Sequence, residues 1–235
     1  MDRHTVTSFD EELNHIDRLL RDMGDLAGEM VDSATRSLID SDPAMAQRVV
    51  SEDAIMDARQ RELDDAAITL IAKRQPMAQD LRAVVGAIRM AADMERIGDL
   101  AKNIAKRVNA VGQSTTPKSL SHSIEAMSQM VLEQVGAVVD HYVSRDAEAL
   151  VALRADDQKI DVQYTSVFRE LLTYMMEDPR NITACTHLLF CAKNLERIGD
   201  HVTNVAENAY FVLTGLQLPV NRPKTDETSV SAHDE

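Results

Sequence analysis

The chain has 235 residues, of which 25 are basic and 39 acidic, giving a net charge of −14. This charge argues against a nucleic-acid-binding protein, because phosphate backbones attract positively charged surfaces. Aromatic residues make up only 3% of the chain, which also argues against a base-stacking surface. No signal-peptide pattern begins the sequence, and its apolar runs are far shorter than the roughly 20 residues that span a bilayer. We therefore expect a cytoplasmic protein without a transmembrane segment.

The first part of the chain, residues 1–111, predicts a bundle of three helices. Ser8 and Glu11 form a potential capping box, and Asp42 can cap a helix that has Pro43 in its first turn. Apolar residues recur at intervals of three and four, as in amphipathic helices. The predicted helices cover residues 9–39, residue 43 to the stretch 73–76, and residues 76–111.

The second part, residues 119–216, repeats this pattern after a linker at residues 112–118, whose composition is rich in small polar residues. Asp146 and Asp178 are the expected caps of its second and third helices. The predicted helices cover residues 120–143, residue 146 to residue 175 or 176, and residue 178 to about residue 215. Residues 217–235 are polar and predicted to be a disordered tail. No segment alternates as a strand does, so the predicted fold class is all-α, with two tandem, pseudo-repeated three-helix bundles.

One pentapeptide occurs in both bundles. The stretch Glu95-Arg96-Ile97-Gly98-Asp99 returns unchanged 101 positions later, beginning at Glu196. In each copy a Glu, an Asp and an Asn follow one another at steps of four, which places them on one helix face. Carboxylates held this close repel each other unless a proton, a cationic side chain or a metal ion lies between them. The residues concerned are Glu95, Asp99 and Asn103 in the first copy, and Glu196, Asp200 and Asn204 in the second.

These acidic rows are predicted to lie on the outer surface of each bundle. On a helical wheel, Met94 and Ile97 belong to the apolar stripe that must face the core, and Glu95 lies roughly opposite it. The second copy gives the same result and adds Glu207 to the outer side. Di-iron carboxylate bundles differ, because their ligands project inward and include a Glu-x-x-His pair, which neither of the two acidic rows contains.

A second acidic pair precedes each copy. Asp53 and Asp57 lie on the helix before the first copy, and Asp157 and Asp161 on the helix before the second. Both members of each helical hairpin carry their acids at similar distances from the turn, so the pairs should stand side by side. Four carboxylates then converge in each bundle. Oxygen-only ligand sets suit hard cations such as Mg²⁺, Mn²⁺ or Ca²⁺, and accept iron or Zn²⁺ less selectively.

The same residues also have simpler interpretations. Acids at steps of four are often a solvated helix face, and Arg96 and Arg197 could form ordinary surface ion pairs with them. Gly98 and Gly199 cost helix stability, about 1 kcal/mol each relative to Ala. They either leave room for a bound ion or an approaching helix, or simply allow close packing between helices.

The sequence resembles the PhoU family. The resemblance lies in the stretch 72–76 (Ala-Lys-Arg-Gln-Pro), in Asp80-Leu81-Arg82, and in the two pentapeptide copies. It implies a cytoplasmic, often homodimeric, negative regulator of the phosphate-starvation response that holds metal ions at E/D-x-x-x-D motifs on the bundle surface. Carried over to this chain, the implied metal ligands are Asp53, Asp57, Glu95, Asp99, Asp157, Asp161, Glu196 and Asp200. Asn103, Asn204 and Glu207 are weaker additions, and Lys106 stands where the second half has Glu207.

The resemblance also implies the partners: the ATPase subunit of the phosphate ABC transporter and the phosphate-sensing histidine kinase. We therefore expect a non-enzymatic adaptor that binds Mg, Mn, Fe or Zn ions and represses phosphate-starvation signalling and phosphate uptake. Two alternatives remain open at this point. One is a metal-dependent hydrolase or oxidase that uses the carboxylates, and the other is a helical scaffold without functional metal.

Overall fold

The computed structural model describes residues 3–111 and 118–218, which are helical throughout apart from short turns. Within these ranges, no helix combines the length and the apolar character that crossing a bilayer requires. A single 3₁₀ turn, Pro179–Asn181, precedes the last helix. The α-helices are α1 (Arg3–Ile39), α2 (Pro43–Arg74), α3 (Gln79–Ala105), α4 (Val108–Val111), α5 (Lys118–Val143), α6 (Ala147–Glu177) and α7 (Ile182–Thr214).

Two of the predicted helix caps are confirmed by their hydrogen bonds. The Asp42 carboxylate accepts from the backbone N–H groups of Ala44 and Met45 at 2.9 and 3.0 Å. The Asp146 carboxylate accepts from the N–H of Ala149 at 3.0 Å. Each carboxylate satisfies N–H groups that the first turn of a helix otherwise leaves unpaired. Sequence-local chemistry thus sets where α2 and α6 begin.

Other predicted boundaries are wrong. The capping box fails because α1 already begins at Arg3, so Ser8 lies inside the helix. The third helix begins at Gln79 instead of Pro76. Gln75 and Ala78 have positive φ angles of 49° and 50°, and the chain reverses its direction between them. It ends at Ala105, and α4 follows separately. Most of the predicted linker and tail, residues 112–117 and 219–235, lies outside the described residues.

The two predicted three-helix units share one hydrophobic core. Helix α1 packs on α2 and α3, and α5 packs on α6 and α7. In addition α1 packs on α5 and α3 on α7, so α1, α3, α7 and α5 form a closed ring of four helices. Helix α2 covers one side of the ring and α6 the other. Buried apolar residues from both halves form one continuous cluster.

Residue pairs across the ring show that the facing helices are antiparallel. The backbone carbonyl of Val212 accepts from Arg82 Nε at 3.1 Å, Asp93 contacts His201 at 2.9 Å, and an Arg107 guanidinium nitrogen lies 3.1 Å from His187 Nδ1. The residue numbers therefore fall along α7 as they rise along α3. The two pentapeptide copies lie at similar heights near the middle of the molecule.

Candidate functional site

The first carboxylate set, Asp53, Asp57, Glu95 and Asp99, lies between α2 and α3. Lys102 Nζ donates to Asp53 on α2 at 2.7 Å and to Asp99 on α3 at 2.6 Å. Arg96 adds an ion pair with Asp99 at 3.0 Å. The two hairpin arms do bring their acids to the same height, as the sequence predicts. A lysine side chain connects them.

The pKa shifts in the first set show how close its charges are. Burial raises the pKa of Glu95, and the negative charges of Asp99, Asp57 and Asp53 raise it further. Burial alone would also raise the pKa of Asp99, but the hydrogen bond and charge of Lys102 hold it below its ordinary value. Lys102 therefore favours the ionised form of Asp99, whereas the surrounding negative charges disfavour the ionised form of Glu95.

The second carboxylate set, Asp157, Asp161, Glu196 and Asp200, lies between α6 and α7. Asp157, Asp161 and Glu196 are only 1%, 3% and 4% exposed. The prediction that the acidic row of α7 lies on the outer surface is therefore wrong for Glu196, although Asn204 of the same row is exposed. The physical reason is that α7 packs against α3, α5 and α6. Around Glu196, the helix face opposite the apolar stripe is covered by α6 instead of by water.

Burial also governs the charge of Glu196. It raises the pKa of this carboxyl, while Lys193 lowers it through a hydrogen bond and charge, and Asp200 and Asp161 raise it. Lys193 Nζ lies 3.0 Å from Oε1 of Glu196. The other oxygen, Oε2, is buried without a hydrogen-bond partner among the described residues, and so is Oγ1 of Thr203. Such buried oxygens are costly unless something binds them.

The two motif glycines have different neighbours. A Cβ at position 199 would lie 2.7 Å from Oδ1 of Asp157 and 3.1 Å from Cδ1 of Ile160. A Cβ at position 98 would meet Met56 Cγ at 3.2 Å. Gly199 therefore leaves room for a carboxylate of the second set. Gly98 follows the simpler interpretation, close packing between helices.

Of the three weaker candidates, Asn204 and Glu207 contact residues outside the carboxylate sets. Asn103 is exposed on α3. Asn204 donates to Asp93 of the other half at 3.3 Å, and Glu207 accepts from Arg154 at 2.7 Å.

Sequence reasoning missed the residue that most distinguishes the two sets. Lys102 follows Asp99 by three positions, and Thr203 follows Asp200 by the same spacing. Comparing the repeats at their 101-residue offset exposes this difference without a structure. The contact of Asp93 with His201 was also missed, because it joins the two halves and depends on their packing.

The two sets differ in how well they suit a metal ion. Within residues 3–111 and 118–218, no group of three or more His, Cys, Asp or Glu side chains is arranged closely enough to hold a metal ion. In the first set, the Lys102 ammonium already lies between the carboxylates of the two helices. The second set offers only oxygen donors, and Glu196 Oε2 and Thr203 Oγ1 are buried without hydrogen-bond partners in the described structure. The second set therefore fits a hard cation better.

Comparisons with known proteins place this arrangement in a family. The family model described as "PhoU domain" matches residues 20–108 and 124–209. The phosphate-specific transport system accessory protein PhoU homolog of Rhizobium meliloti is 54% identical over 226 residues, covering 96% of this chain and 95% of that protein. The Caulobacter vibrioides homolog is 45% identical over 229 residues, covering 97% and 100%.

Solved structures agree. The crystal structure of PhoU from Pseudomonas aeruginosa has a TM-score of 0.84 and 32% identity, covering 88% of this chain and 100% of that one. The phosphate transport system regulatory protein PhoU from Streptococcus pneumoniae shares the fold with a TM-score of 0.82 at 24% identity, covering 90% and 100%. The all-α prediction and the resemblance in the sequence are thus confirmed: the chain belongs to the PhoU family and carries two PhoU domains in tandem.

Proposed function

We propose that this protein is a negative regulator of the phosphate-starvation response and of phosphate uptake. In this proposal it is a cytoplasmic, non-enzymatic adaptor between the ATPase subunit of the phosphate ABC transporter and the phosphate-sensing histidine kinase. The observation that carries the proposal is similarity over nearly the whole chain to proteins named phosphate-specific transport system accessory proteins. These relatives are named for an accessory role in transport, and none of the names quoted above is that of an enzyme.

Exposed apolar side chains at equivalent places in the two halves support an adaptor role. Ile68 and Leu81 flank the turn between α2 and α3, and both are exposed. Leu172 and Ile182 occupy the corresponding positions between α6 and α7 and are also exposed. The recurrence of exposed apolar residues at the same places in both halves is the feature we connect with protein contact. The two hairpin tips are therefore the surfaces we assign to partner binding.

A bound cation is part of this proposal. The second carboxylate set would hold it, through Asp157, Asp161, Glu196 and Asp200, and its oxygen donors favour Mg²⁺ or Mn²⁺ over iron or Zn²⁺. When bound, the ion supplies positive charge between α6 and α7. The four carboxylates would hold the ion through their oxygens, and three of them are buried.

The adaptor role is tested by capturing partners on the full-length chain. Wild-type protein is expected to retain both the ATPase subunit and the kinase. The double variants Ile68→Asn/Leu81→Asn and Leu172→Asn/Ile182→Asn should each lose one or both. Val162→Asn is the matched control, since Val162 is an exposed apolar residue of α6 away from the tips. Failure of the wild-type chain to retain either partner would refute the adaptor role.

The regulatory role and the oligomeric state have separate tests. Deletion of the gene should switch on phosphate-starvation promoters in phosphate-rich medium, and the wild-type gene should silence them again. Promoters that remain silent after deletion would contradict a repressing role. We also propose a homodimer, which light scattering would report as twice the 26.1 kDa mass of the chain. A monomer mass across the concentration range would contradict it.

A further inference from the structure

Lys102 occupies the space between the two helices of the first carboxylate set. Its side chain is 18% exposed, and its Nζ contacts Asp53 of α2 at 2.7 Å and Asp99 of α3 at 2.6 Å. A single ammonium therefore bridges one acid from each helix and offsets one of their two negative charges. A metal ion bridging these two carboxylates would need the same oxygens and would be repelled by the ammonium beside it.

The second half has no lysine at the corresponding position. Thr203 stands there, is 1% exposed, and its Oγ1 has no hydrogen-bond partner in the described structure. Glu196 Oε2, on the same helix, is likewise buried without a hydrogen-bond partner. A neutral hydroxyl replaces the ammonium in the half where the carboxylates are more deeply buried. Buried oxygens without a hydrogen-bond partner are costly, so Glu196 Oε2 and Thr203 Oγ1 favour a bound cation in this half.

The second set does have a cationic neighbour, Lys193, but this lysine lies at a different position in the sequence from that of Lys102. Lys193 contacts Oε1 of Glu196 at 3.0 Å and lies over the ring of Tyr164 at 4.8 Å from its centre. It precedes Glu196 by three positions, and its counterpart in the first half is Ala92. The side chain of Lys193 is 39% exposed, compared with 18% for Lys102. Lys193 therefore contacts its set from a more solvent-exposed position.

From these observations we infer that Lys102 is a built-in cation that takes the place of a metal ion in the first carboxylate set. Metal binding by this chain is then confined to the second set. The inference rests on the proposed metal-binding function, and it assigns the two E-R-I-G-D copies different roles. The first copy has a cation of the chain bridging its two helices, whereas the second keeps buried oxygens, Glu196 Oε2 and Thr203 Oγ1, for a cation from its surroundings.

Manganese binding by the full-length protein tests this assignment. After removal of metal with EDTA, Mn²⁺ is added and bound ion is counted by equilibrium dialysis and metal analysis. Asp161→Asn/Glu196→Gln should weaken Mn²⁺ binding by about 10–100-fold or more. Asp53→Asn/Asp99→Asn should leave it unchanged. Circular dichroism and size-exclusion chromatography establish that each variant is folded.

A gain of binding is the sharper part of the test. Lys102→Thr, which copies the second half, should bind at least one additional Mn²⁺, and this gain should disappear when Asp99→Asn is added. Lys102→Gln keeps the length of the side chain without its charge and serves if the threonine variant is unstable. Lys106→Thr is the matched control, because Lys106 is an exposed lysine four positions further along and should give no gain.

The outcomes separate this inference from the proposed function. Mn²⁺ binding that is lost on neutralising the first set, or a Lys102→Thr variant that gains nothing, would overturn the inference while metal binding itself stands. A wild-type chain that binds no metal would refute the metal-binding function and the role of the second set. A gain in Lys102→Thr would still support Lys102 as the replacing cation in that case.

Discussion

Replacing each motif glycine by alanine gives a matched pair of variants in identical pentapeptides. In both, alanine favours the helix by about 1 kcal/mol over glycine. At position 98 the new Cβ meets the Cγ of Met56 at 3.2 Å, and Met56 is a flexible side chain that can shift. At position 199 it would lie 2.7 Å from the carboxylate of Asp157 and 3.1 Å from Ile160. Asp157 is short and buried, so it has little room to move away.

We expect Gly98→Ala to be neutral or stabilising by up to about 1 kcal/mol. Overpacking a well-filled interior costs about 1–3 kcal/mol, so Gly199→Ala should be destabilising by about 0–2 kcal/mol after the helix gain. The measurement is urea denaturation in the presence of EDTA, with wild-type protein as reference. A Gly199→Ala variant at least as stable as Gly98→Ala would refute the close approach of Asp157 to this glycine.

Three further predictions concern buried polar groups. Burial raises the pKa of Glu196, so ionisation of this carboxyl destabilises the fold as pH rises through that pKa. In EDTA at pH 7, Glu196→Gln should therefore raise Tm, by about 2–4 °C for each kcal/mol gained. The increase in Tm should be smaller at pH 4. Arg82→Met removes the hydrogen bond to the Val212 carbonyl and should cost about 1.5–3 kcal/mol in urea denaturation. Tyr142→Phe removes the 2.8 Å hydrogen bond to Asp17. Because burial already raises the pKa of Asp17, this loss should be about 1 kcal/mol at pH 7 and smaller at pH 4, where the carboxyl gains a proton. A lowered Tm of Glu196→Gln would contradict the first expectation, and an unchanged free energy of unfolding of Arg82→Met the second. Equal losses at pH 7 and pH 4 in Tyr142→Phe would contradict the third.

Local features were predictable from the sequence because they depend on neighbouring residues. Asp42 and Asp146 cap helices through N–H groups two or three positions away. The repeat at a 101-residue offset likewise follows from the sequence. The proximity of Asp53 to Asp99 required only that α2 and α3 form a hairpin with acids at equal distances from its turn. The lysine that joins them shows that this reasoning held.

The exposure of the acids was not predictable in the same way. A helical wheel shows which face of α7 is opposite the core of its own bundle, but not which other helix covers that face. The contact between α3 and α7 closes the four-helix ring, and α6 then covers Glu196. Asn204 turns to Asp93 for the same reason, since its partner belongs to the other half. The burial of Glu196 depends on packing of α6 against α7, and the Asn204–Asp93 contact depends on packing between the halves; neither leaves a local signal in the sequence.

The identical pentapeptides differ because of residues outside them. Asp53 and Asp157 are equivalent positions, as are Lys102 and Thr203. In the first half Lys102 binds Asp53, and Gly98 is in contact with Met56. In the second half no lysine stands at position 203, and the carboxylate of Asp157 lies against Gly199 instead. The two equivalent acids therefore have different neighbours, a lysine three residues beyond the motif in one half and the motif glycine in the other. Motif identity alone cannot establish that two such sites bind the same ion.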